Sequence, residues 1–317
     1  MGVFYHKVNA LTTATAPGKV ILFGEHAVVY ARPAIAVPVF QVQAQATVVA
    51  TDRDSVEIDA PDIARRYDLA SASPDDAIAT IIRLTGARLA VEPRGFRVHI
   101  HSTIPVARGL GSGAAVSVAI ARALSEFFHR PLDAAQISAL AYEVEKLYHG
   151  TPSGIDNTVI AFAQPVYYVR GQPFESFSVA QPFLIAIGDT GIASPTKIAV
   201  GDVRRAWEHD RARYEVLFDE IGAITRAARR AIESGDVAAL GPLMNANQTL
   251  AREIGVSSPE IEKLVAAALE AGARGAKLSG AGRGGNVIAL IEPGTRPAVE
   301  RALLTAGAAR VIVTEVK

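Results

Sequence analysis

The chain has 317 residues, of which half are apolar and a fifth are charged. This length exceeds what one hydrophobic core usually organises, so two domains are expected. Its 32 basic and 32 acidic side chains cancel, whereas general binding to nucleic acids or anionic membranes usually requires a basic excess. The absence of cysteine excludes disulfides, zinc–thiolate sites and thiol catalysis.

No targeting or membrane-spanning segment is predicted. No apolar run reaches the ~18 residues that a membrane helix needs. The first ten residues, MGVFYHKVNA, lack the apolar centre of a signal peptide. A cytoplasmic location is therefore expected. The oligomeric state is left open, with a homodimer among the options.

The first hundred residues are predicted to be rich in strands. β-branched and aromatic residues mark strands at residues 20–23, 34–49 and 96–100, separated by Gly, Pro and Asp. One helix is predicted near residues 74–85.

From Ser112 the pattern becomes helical, because small or apolar residues recur every three or four positions. A second helix follows and extends to about Tyr148, with Asp133 and Gln136 resembling a capping box at its start. Glycine and proline then predict a loop at residues 150–154.

A second group of elements is predicted beyond Pro182. Its strands are expected at residues 183–187, 286–291 and 310–316. Its helices are expected within residues 197–234, 237–254, 259–271 and 296–306. Mixed strands and helices in both halves predict an α+β protein with domains at residues 1–180 and 181–317.

The segment PGKVILFGEHAVVY, at residues 17–30, joins a Gly-Lys pair to a Glu-His pair through an apolar run. It is not a P-loop, because a strand-like valine follows Lys19 where a P-loop has Ser or Thr and then a helix. The apolar run is predicted to be a core strand. Such a strand would carry Lys19 at one end and Glu25 and His26 at the other.

The segment PVARGLGSGAA, at residues 105–115, satisfies the dinucleotide pattern G-x-G-x-x-A at Gly109, Gly111 and Ala114. The element predicted after its helix is another helix, so the βαβ context of that motif is missing. A glycine turn at a helix N-terminus can still bind an anion through its N–H groups. A tight turn into a buried, alanine-rich helix is the alternative.

The segment KLSGAGRGGN, at residues 277–286, is a second glycine-rich loop, but a strand-like run follows it. Alone it is equally consistent with a flexible turn and with a backbone cradle for a ligand. Two such loops in separate halves of the chain suggest a ligand held between the domains.

Together, the three segments resemble the three motifs of the GHMP kinase superfamily, in the same order. Within the superfamily, GEHAVVY at residues 24–30 and HGTPSGIDN at residues 149–157 are most similar to the mevalonate kinases. The resemblance implies an N-terminal, ATP-binding domain like ribosomal protein S5 and a ferredoxin-like C-terminal domain, with the active site in the cleft between them. It also implies transfer of the ATP γ-phosphoryl group to the 5-hydroxyl of mevalonate with Mg²⁺, in isoprenoid biosynthesis.

The resemblance assigns catalytic and metal-binding roles. Asp156 is expected to accept the hydroxyl proton, with Lys19 as its charged partner; from the residue types alone, a structural salt bridge is the alternative. Glu145 and Ser112 are expected to bind Mg²⁺, which prefers hard oxygen ligands. For Glu145 the alternative is a solvated, charged helix face.

The resemblance also assigns residues to ATP and to the acceptor. The expected ATP-binding residues are Pro105, Arg108, Gly109, Leu110, Gly111, Ser112, Gly113, Ala114 and Ala115. The expected substrate-binding residues are Glu25, His26, Ser153, Thr196, Gly280 and Ala281. For His26 the alternative is a structural histidine whose hydrogen bonds are satisfied.

One position departs from the family pattern. The second motif usually reads GLGSSAA, and Gly113 replaces its second serine, a ligand of metal and phosphate. Ser112, Ser117 or a water molecule could compensate for the missing hydroxyl.

Three other functions are alternatives: a phosphomevalonate kinase, a sugar kinase and a non-catalytic, ligand-sensing relative. A phosphorylated acceptor would need further basic residues near Glu25, and residues 17–30 offer only Lys19. A sensor would be expected to lose Lys19, Glu145 and Asp156, all of which are present. Gly113 slightly favours the sensor.

Overall fold

The structure is a computed structural model that describes residues 10–106, 108–149, 152–194 and 196–317. Two of the expectations above therefore lie outside the described residues in part or in full. These are the loop at 150–154, of which residues 152–154 are described without helix or strand, and the N-terminal segment without a signal-peptide core.

The described residues form eleven strands, with helices interspersed along the chain. The strands are β1 (Leu11–Phe23), β2 (Ala34–Ala50), β3 (Val56–Ala60), β4 (Arg65–Asp68), β5 (Phe96–Ser102), β6 (Val166–Tyr168), β7 (Glu175–Ser176), β8 (Phe183–Asp189), β9 (Gly275–Ser279), β10 (Asn286–Ile291) and β11 (Arg310–Val316).

Nine α-helices accompany these strands in the same described ranges. They are α1 (Ala77–Leu89), α2 (Ser112–Phe127), α3 (Ala134–His149), α4 (Ile155–Phe162), α5 (Thr196–His209), α6 (Arg211–Ser234), α7 (Val237–Glu253), α8 (Pro259–Glu270) and α9 (Arg296–Thr305). The predicted α+β class is confirmed. None of these helices is both long and apolar enough to cross a bilayer.

Several boundaries differ from the prediction for local reasons. Strand β1 begins at Leu11 rather than at residue 20, because its first half alternates between exposed and buried side chains. Helix α1 begins later than residue 74, since Asp76 is its N-cap and accepts a 2.8 Å hydrogen bond from the Ala79 N–H. Helix α4 and strand β9 were not predicted at all.

The capping box at the start of α3 is confirmed by its geometry. The Asp133 N–H donates to Gln136 Oε1 at 3.0 Å, and the Gln136 N–H donates to Asp133 Oδ1 at 2.8 Å. Two backbone donors that a helix start leaves without partners are thereby satisfied.

Residue contacts divide the chain into two compact units. The first comprises the chain up to Gly18, then Val42–Val106 and Gly111–Ala163. The second comprises Lys19–Gln41, a short segment ending at Leu110, and Gln164–Lys317. Strands β1 and β2 therefore each contribute residues to both units. The sequence-based domains at 1–180 and 181–317 stay a prediction.

In the first unit, β5 pairs antiparallel with the second half of β2 and parallel with β3, which pairs antiparallel with β4. Helix α2 packs against α1, α3 and α4. Many of its buried residues are alanines, and such small side chains let neighbouring helices approach closely. Phe96, Phe127 and Phe128 form an aromatic cluster, with ring centroids 5.1–5.8 Å apart.

The second unit contains an antiparallel four-stranded sheet in the order β11-β8-β10-β9. Strands β9 and β10 form a hairpin in which Ser279 pairs with Asn286, so the loop at residues 280–285 connects them.

Edge strand β9 is covered by helix α7. The N–H groups of Ala276 and Leu278 donate to the side-chain oxygens of Asn245 and Gln248 on that helix, at 3.0 and 2.9 Å. These amides satisfy the donors that an uncovered sheet edge would expose.

Candidate active site

The apolar run Val20–Phe23 is buried, so its prediction as a core strand is confirmed. Lys19, which precedes it, is buried too, at 3% exposure. The main-chain N–H of Lys19 donates to the Leu110 carbonyl at 3.0 Å. This bond joins the start of the first motif to the glycine segment of the second motif.

A tight turn of Gly24, Glu25 and His26 follows β1. Gly24 has φ of +94°, and a Cβ there would lie 2.3 Å from the Pro33 carbonyl oxygen. His26 is also left-handed, with φ of +59°, a conformation that non-glycine residues seldom adopt. The chain therefore holds the Glu-His pair in a constrained conformation that only glycine permits at residue 24.

His26 binds the third motif directly. Its ring is buried, and Nε2 lies 2.9 Å from the Ala281 carbonyl oxygen. Because a carbonyl only accepts hydrogen bonds, Nε2 carries the proton and donates it. Burial lowers the pKa of His26 to about 4, against a smaller opposing effect of the Ala281 hydrogen bond. The imidazole is thus neutral at pH 7.

Glu25 forms a buried ion pair that sequence reasoning missed. Its Oε1 accepts a hydrogen bond from Nζ of Lys277 on β9, and the two side chains are 3% and 0% exposed. Burial raises the pKa of Glu25, and the charge and hydrogen bond of Lys277, followed by the charge of Lys19, act in the opposite direction. Burial lowers the pKa of Lys277, which Glu25 opposes.

The glycines of the third motif divide into two kinds. Both Gly280 and Gly282 are left-handed, with φ of +93° and +75°. A Cβ at Gly282 would lie 2.2 Å from the Val256 carbonyl oxygen, so this glycine is required by packing. A Cβ at Gly280 would have no heavy atom of the described residues within 4 Å. Gly280 therefore borders open space, as a backbone cradle requires.

The loop after β8 is hydrogen-bonded to this glycine loop. Thr190 donates to the Gly285 carbonyl through both its N–H and its hydroxyl, at 2.8 and 2.9 Å. The Ser194 hydroxyl donates to the Gly282 carbonyl at 2.5 Å. Thr196 is exposed at the first position of α5.

The start of the second motif contacts the third motif. Nδ2 of buried Asn286 donates to the Arg108 carbonyl, and a Cβ at Gly109 would lie 3.7 Å from that nitrogen. Nη1 of Arg108 is buried, with no hydrogen-bond partner in the part of the chain that the structure describes. Gly109 and Gly111 are left-handed, with φ of +80° and +74°.

Helix α2 begins at Ser112, directly after this glycine turn. A helix start leaves its first N–H groups without intrahelical partners, and the anion site expected here stays a prediction. Ala114 and Ala115 are buried, and Leu110 is buried just before the turn, whereas Pro105 is partly buried.

Glu145 lies beside the position where the family has its second serine. It is buried on α3, and a Cβ at Gly113 would lie 3.3 Å from its Oε1. The described residues contain no group of three or more His, Asp or Glu arranged for a metal ion. One buried carboxylate next to residue 113 nevertheless fits Mg²⁺, which usually takes one or two carboxylates and completes its shell with water and phosphate.

Asp156 lies in the first turn of α4 and is partly buried. The positive end of the helix dipole favours a carboxylate there. Nδ2 of Asn157 donates to the Ser138 carbonyl and hydroxyl on α3, at 3.1 and 2.8 Å, which fixes the start of α4. Ser153 accepts a 3.4 Å hydrogen bond from the Ile155 N–H.

The predicted site residues are divided between the units. Ser112, Gly113, Glu145, Ser153 and Asp156 belong to the first unit. Lys19, Glu25, His26, Arg108, Gly109, Leu110, Thr196, Gly280 and Ala281 belong to the second. Within the second unit, the structure brings together Glu25, His26 and the third motif, as well as Lys19 and Leu110.

Two family models match this chain. The model for the GHMP kinases N terminal domain matches residues 71–164, and the GHMP kinases C terminal model matches residues 228–309. The chain belongs to the GHMP kinases. It has their two-domain fold and is an ATP-dependent kinase that acts on an alcohol.

Similar proteins align over nearly its whole length. Mevalonate kinase of Pyrococcus abyssi is 37% identical over 324 residues, which cover 95% of each chain. Mevalonate kinase of Pyrococcus horikoshii is 38% identical over 316 residues, covering 93% of this chain and 92% of the relative. Among solved structures, L. major mevalonate kinase in complex with R-mevalonate matches with a TM-score of 0.86 and 30% identity over 98% of each chain.

Sequence reasoning missed Lys277 and Asn286 as functional positions, although both lie inside the quoted third segment. Lys277 is a single lysine in the otherwise small and apolar run Gly275–Ser279, directly before the glycines. Such a lysine on a fully buried strand signals a buried partner. That signal was available only once β9 was recognised as a strand.

Proposed function

We propose that the protein is a mevalonate kinase that transfers the γ-phosphoryl group of ATP to the 5-hydroxyl of (R)-mevalonate, giving 5-phosphomevalonate and ADP. The observation that carries this proposal is the buried Glu25–His26 turn, bound to the third glycine motif. It occurs in a chain that matches, over 98% of its length, an enzyme solved with R-mevalonate.

The charges around this turn favour an acceptor without a phosphate group. Besides Lys19, two cations act on the turn: Lys277 on Glu25 and Arg283 on His26. Both have carboxylate partners, since Lys277 binds Glu25 and Arg283 binds Asp202. A phosphorylated acceptor carries about two more negative charges and usually requires unengaged arginine or lysine. The turn is therefore better suited to mevalonate than to phosphomevalonate.

The proposed chemical step is a phosphoryl transfer from ATP to the alcohol. The 5-hydroxyl oxygen forms a bond to the γ-phosphorus while the bond from that phosphorus to the β–γ bridging oxygen breaks, which releases ADP. Asp156 accepts the hydroxyl proton. Lys19 stabilises the negative charge that accompanies the transfer.

The nucleotide is proposed to bind to the glycine turn and the start of α2, where backbone N–H groups and the helix dipole attract phosphate. Glu145 and Ser112 would hold Mg²⁺. When bound, this ion would offset charge on the phosphate oxygens. Arg108 contributes a buried guanidinium nitrogen that has no partner within the described ranges.

The remaining assignments follow from the same resemblance and composition. Residues 1–180 are proposed as the ATP-binding domain and residues 181–317 as the C-terminal domain. Ser153, Thr196, Gly280 and Ala281 are proposed to contact the acceptor. A homodimer, which light scattering would test, and a cytoplasmic location, which cell fractionation would test, are further predictions.

The decisive assay measures ADP release by the purified protein with ATP, Mg²⁺ and one acceptor at a time. The acceptors are (R)-mevalonate, 5-phosphomevalonate, galactose and homoserine. We expect release above background with mevalonate alone. Release driven only by another acceptor would reassign the substrate, and no release with any of them would support the ligand-sensing alternative.

A further inference from the structure

Lys277 is an unusual residue to find in a sheet. It lies on edge strand β9, all five residues of which are buried, and its side chain is 0% exposed. Removing an ammonium group from water is costly unless the charge is paired. A buried lysine here therefore has a desolvation cost that an apolar residue would avoid.

The partners of this ammonium group are both polar. Nζ donates to Oε1 of Glu25 and, at 2.5 Å, to the carbonyl of Leu278. Glu25 in turn follows Gly24, in a turn whose backbone conformation is constrained. The charged contact therefore fixes the side chain of Glu25 relative to the third motif.

Two neighbouring contacts join the same parts of the chain without charge pairing. His26 donates to the Ala281 carbonyl. The hydroxyl of Ser279, two residues after Lys277, accepts from the Ile21 N–H at 3.1 Å and donates to the Ile21 carbonyl at 2.9 Å. The Ser279 bonds already join β1 to β9, so the ion pair is not the sole link between these parts of the chain.

Glu25 also has a second carboxylate oxygen that can accept a hydrogen bond. Its second oxygen, Oε2, is buried and has no hydrogen-bond partner among the residues that the structure describes. A buried acceptor without a partner is destabilising. A hydroxyl of a bound alcohol that reached this oxygen would satisfy it.

We propose that Lys277 is a positioning residue of the acceptor site, which holds Glu25 by one carboxylate oxygen and leaves the other for a hydroxyl of the alcohol substrate. This role rests on the proposed function, because it assigns the Glu25–His26 turn to the acceptor. Lys277 itself does not touch the reacting atoms in this scheme.

The test compares Lys277→Met with Asn245→Ala. Methionine keeps most of the length of the lysine side chain but removes the charge. Steady-state kinetics with mevalonate and with ATP are measured for both variants. We expect Lys277→Met to raise KM for mevalonate by about tenfold or more, as when a hydrogen bond to a charged group is lost, and to leave KM for ATP unchanged.

Asn245→Ala is the matched structural control, because it removes the bond that the Ala276 N–H on β9 donates to helix α7. It is expected to lower the unfolding midpoint and to leave both KM values within about twofold, since Asn245 bonds the backbone of β9 rather than the Glu25–His26 turn. A selective rise in KM for mevalonate in Lys277→Met alone therefore separates positioning from general destabilisation.

A variant without either charge keeps the proposal testable if Lys277→Met does not fold. Glu25→Gln combined with Lys277→Met replaces a buried ion pair by neutral groups, which proteins often tolerate better than one unpaired charge. If Lys277 acts through Glu25, the double variant has the same KM for mevalonate as Glu25→Gln alone. A further, independent increase in the double variant would overturn the proposal.

The outcomes distinguish this inference from the proposed function. If the wild-type protein phosphorylates a different alcohol and Lys277→Met selectively raises KM for that alcohol, the substrate assignment is wrong but the positioning role stands. If mevalonate is the substrate and Lys277→Met leaves its KM unchanged, the positioning role is wrong. An equal rise in both KM values would also contradict it.

Discussion

Asp156 is the residue through which the proposed proton transfer can be tested most simply. Replacing it by asparagine keeps the size of the side chain and removes the proton acceptor. General-base catalysis contributes about 10²–10⁴-fold, so we expect kcat to fall by that factor. Binding of an ATP analogue, measured by calorimetry, is expected to change little. A kcat close to the wild-type value would remove Asp156 from the chemistry.

His26 predicts a pH dependence of stability. Its pKa in the folded protein, about 4, lies below the ordinary value of 6.5. Above pH 6.5 the ring is neutral in both states. As the pH falls from 6.5 to about 4, only the unfolded chain takes up the proton, so the free energy of unfolding declines by up to roughly 3 kcal/mol.

The variant His26→Asn isolates this contribution, because asparagine tolerates a left-handed backbone. Urea unfolding is measured at a series of pH values for both proteins. The wild-type protein is expected to lose more stability than the variant between pH 6.5 and 4. Equal losses in that interval would show that the ring is not held neutral.

Gly113 allows the missing serine hydroxyl to be restored. Gly113→Ser and Gly113→Ala both place a Cβ 3.3 Å from Glu145 Oε1, so crowding is matched and only the hydroxyl differs. Relative to alanine, serine is expected to lower the Mg²⁺ concentration for half-maximal activity by about threefold or more, the effect of one added polar contact. The same Mg²⁺ requirement in both variants would place the metal away from residue 113.

At the scale of elements, the loop between β9 and β10 contains one glycine that packing requires and another that is expected to lie at the ligand site. Gly280→Ala and Gly282→Ala share the cost of a left-handed alanine, about 1–2 kcal/mol. Only Gly282→Ala adds a clash with Val256, and we expect it to lose about 1–3 kcal/mol more stability than Gly280→Ala.

Gly280→Ala should instead reduce kcat/KM by about tenfold or more, because its methyl group enters the space left for ligands. Chemical denaturation and steady-state kinetics on both variants check this division. The interpretation fails if Gly280→Ala is the less stable variant or retains full activity.

Long elements with a regular apolar pattern were predictable, whereas short ones at the site were not. Strands β2, β8 and β10 and helix α2 lie close to their predicted bounds because hydrophobic period and flanking turn residues agree. Strand β9 contains a lysine that obscures its apolar pattern. Helix α4 follows Gly154 immediately, so its eight residues were hidden by the loop signals before it.

At the scale of the whole molecule, the order of motifs was sufficient to identify the family, but the partners of individual side chains were not predictable. Lys277 and Glu25 are 252 positions apart, and no local pattern links them. The compact units also interleave along the chain, since residues 19–41 group with the C-terminal half. A linear division of the sequence does not reveal such grouping.

The 5-hydroxyl of mevalonate is the proposed phosphoryl acceptor. Phosphorus NMR and mass spectrometry of a reaction with racemic mevalonate and excess ATP test it most directly. We predict that half of the mevalonate is consumed, that the phosphate is attached at C5, and that one ADP forms per 5-phosphomevalonate. Unchanged mevalonate, or a phosphate attached elsewhere, would contradict the assignment.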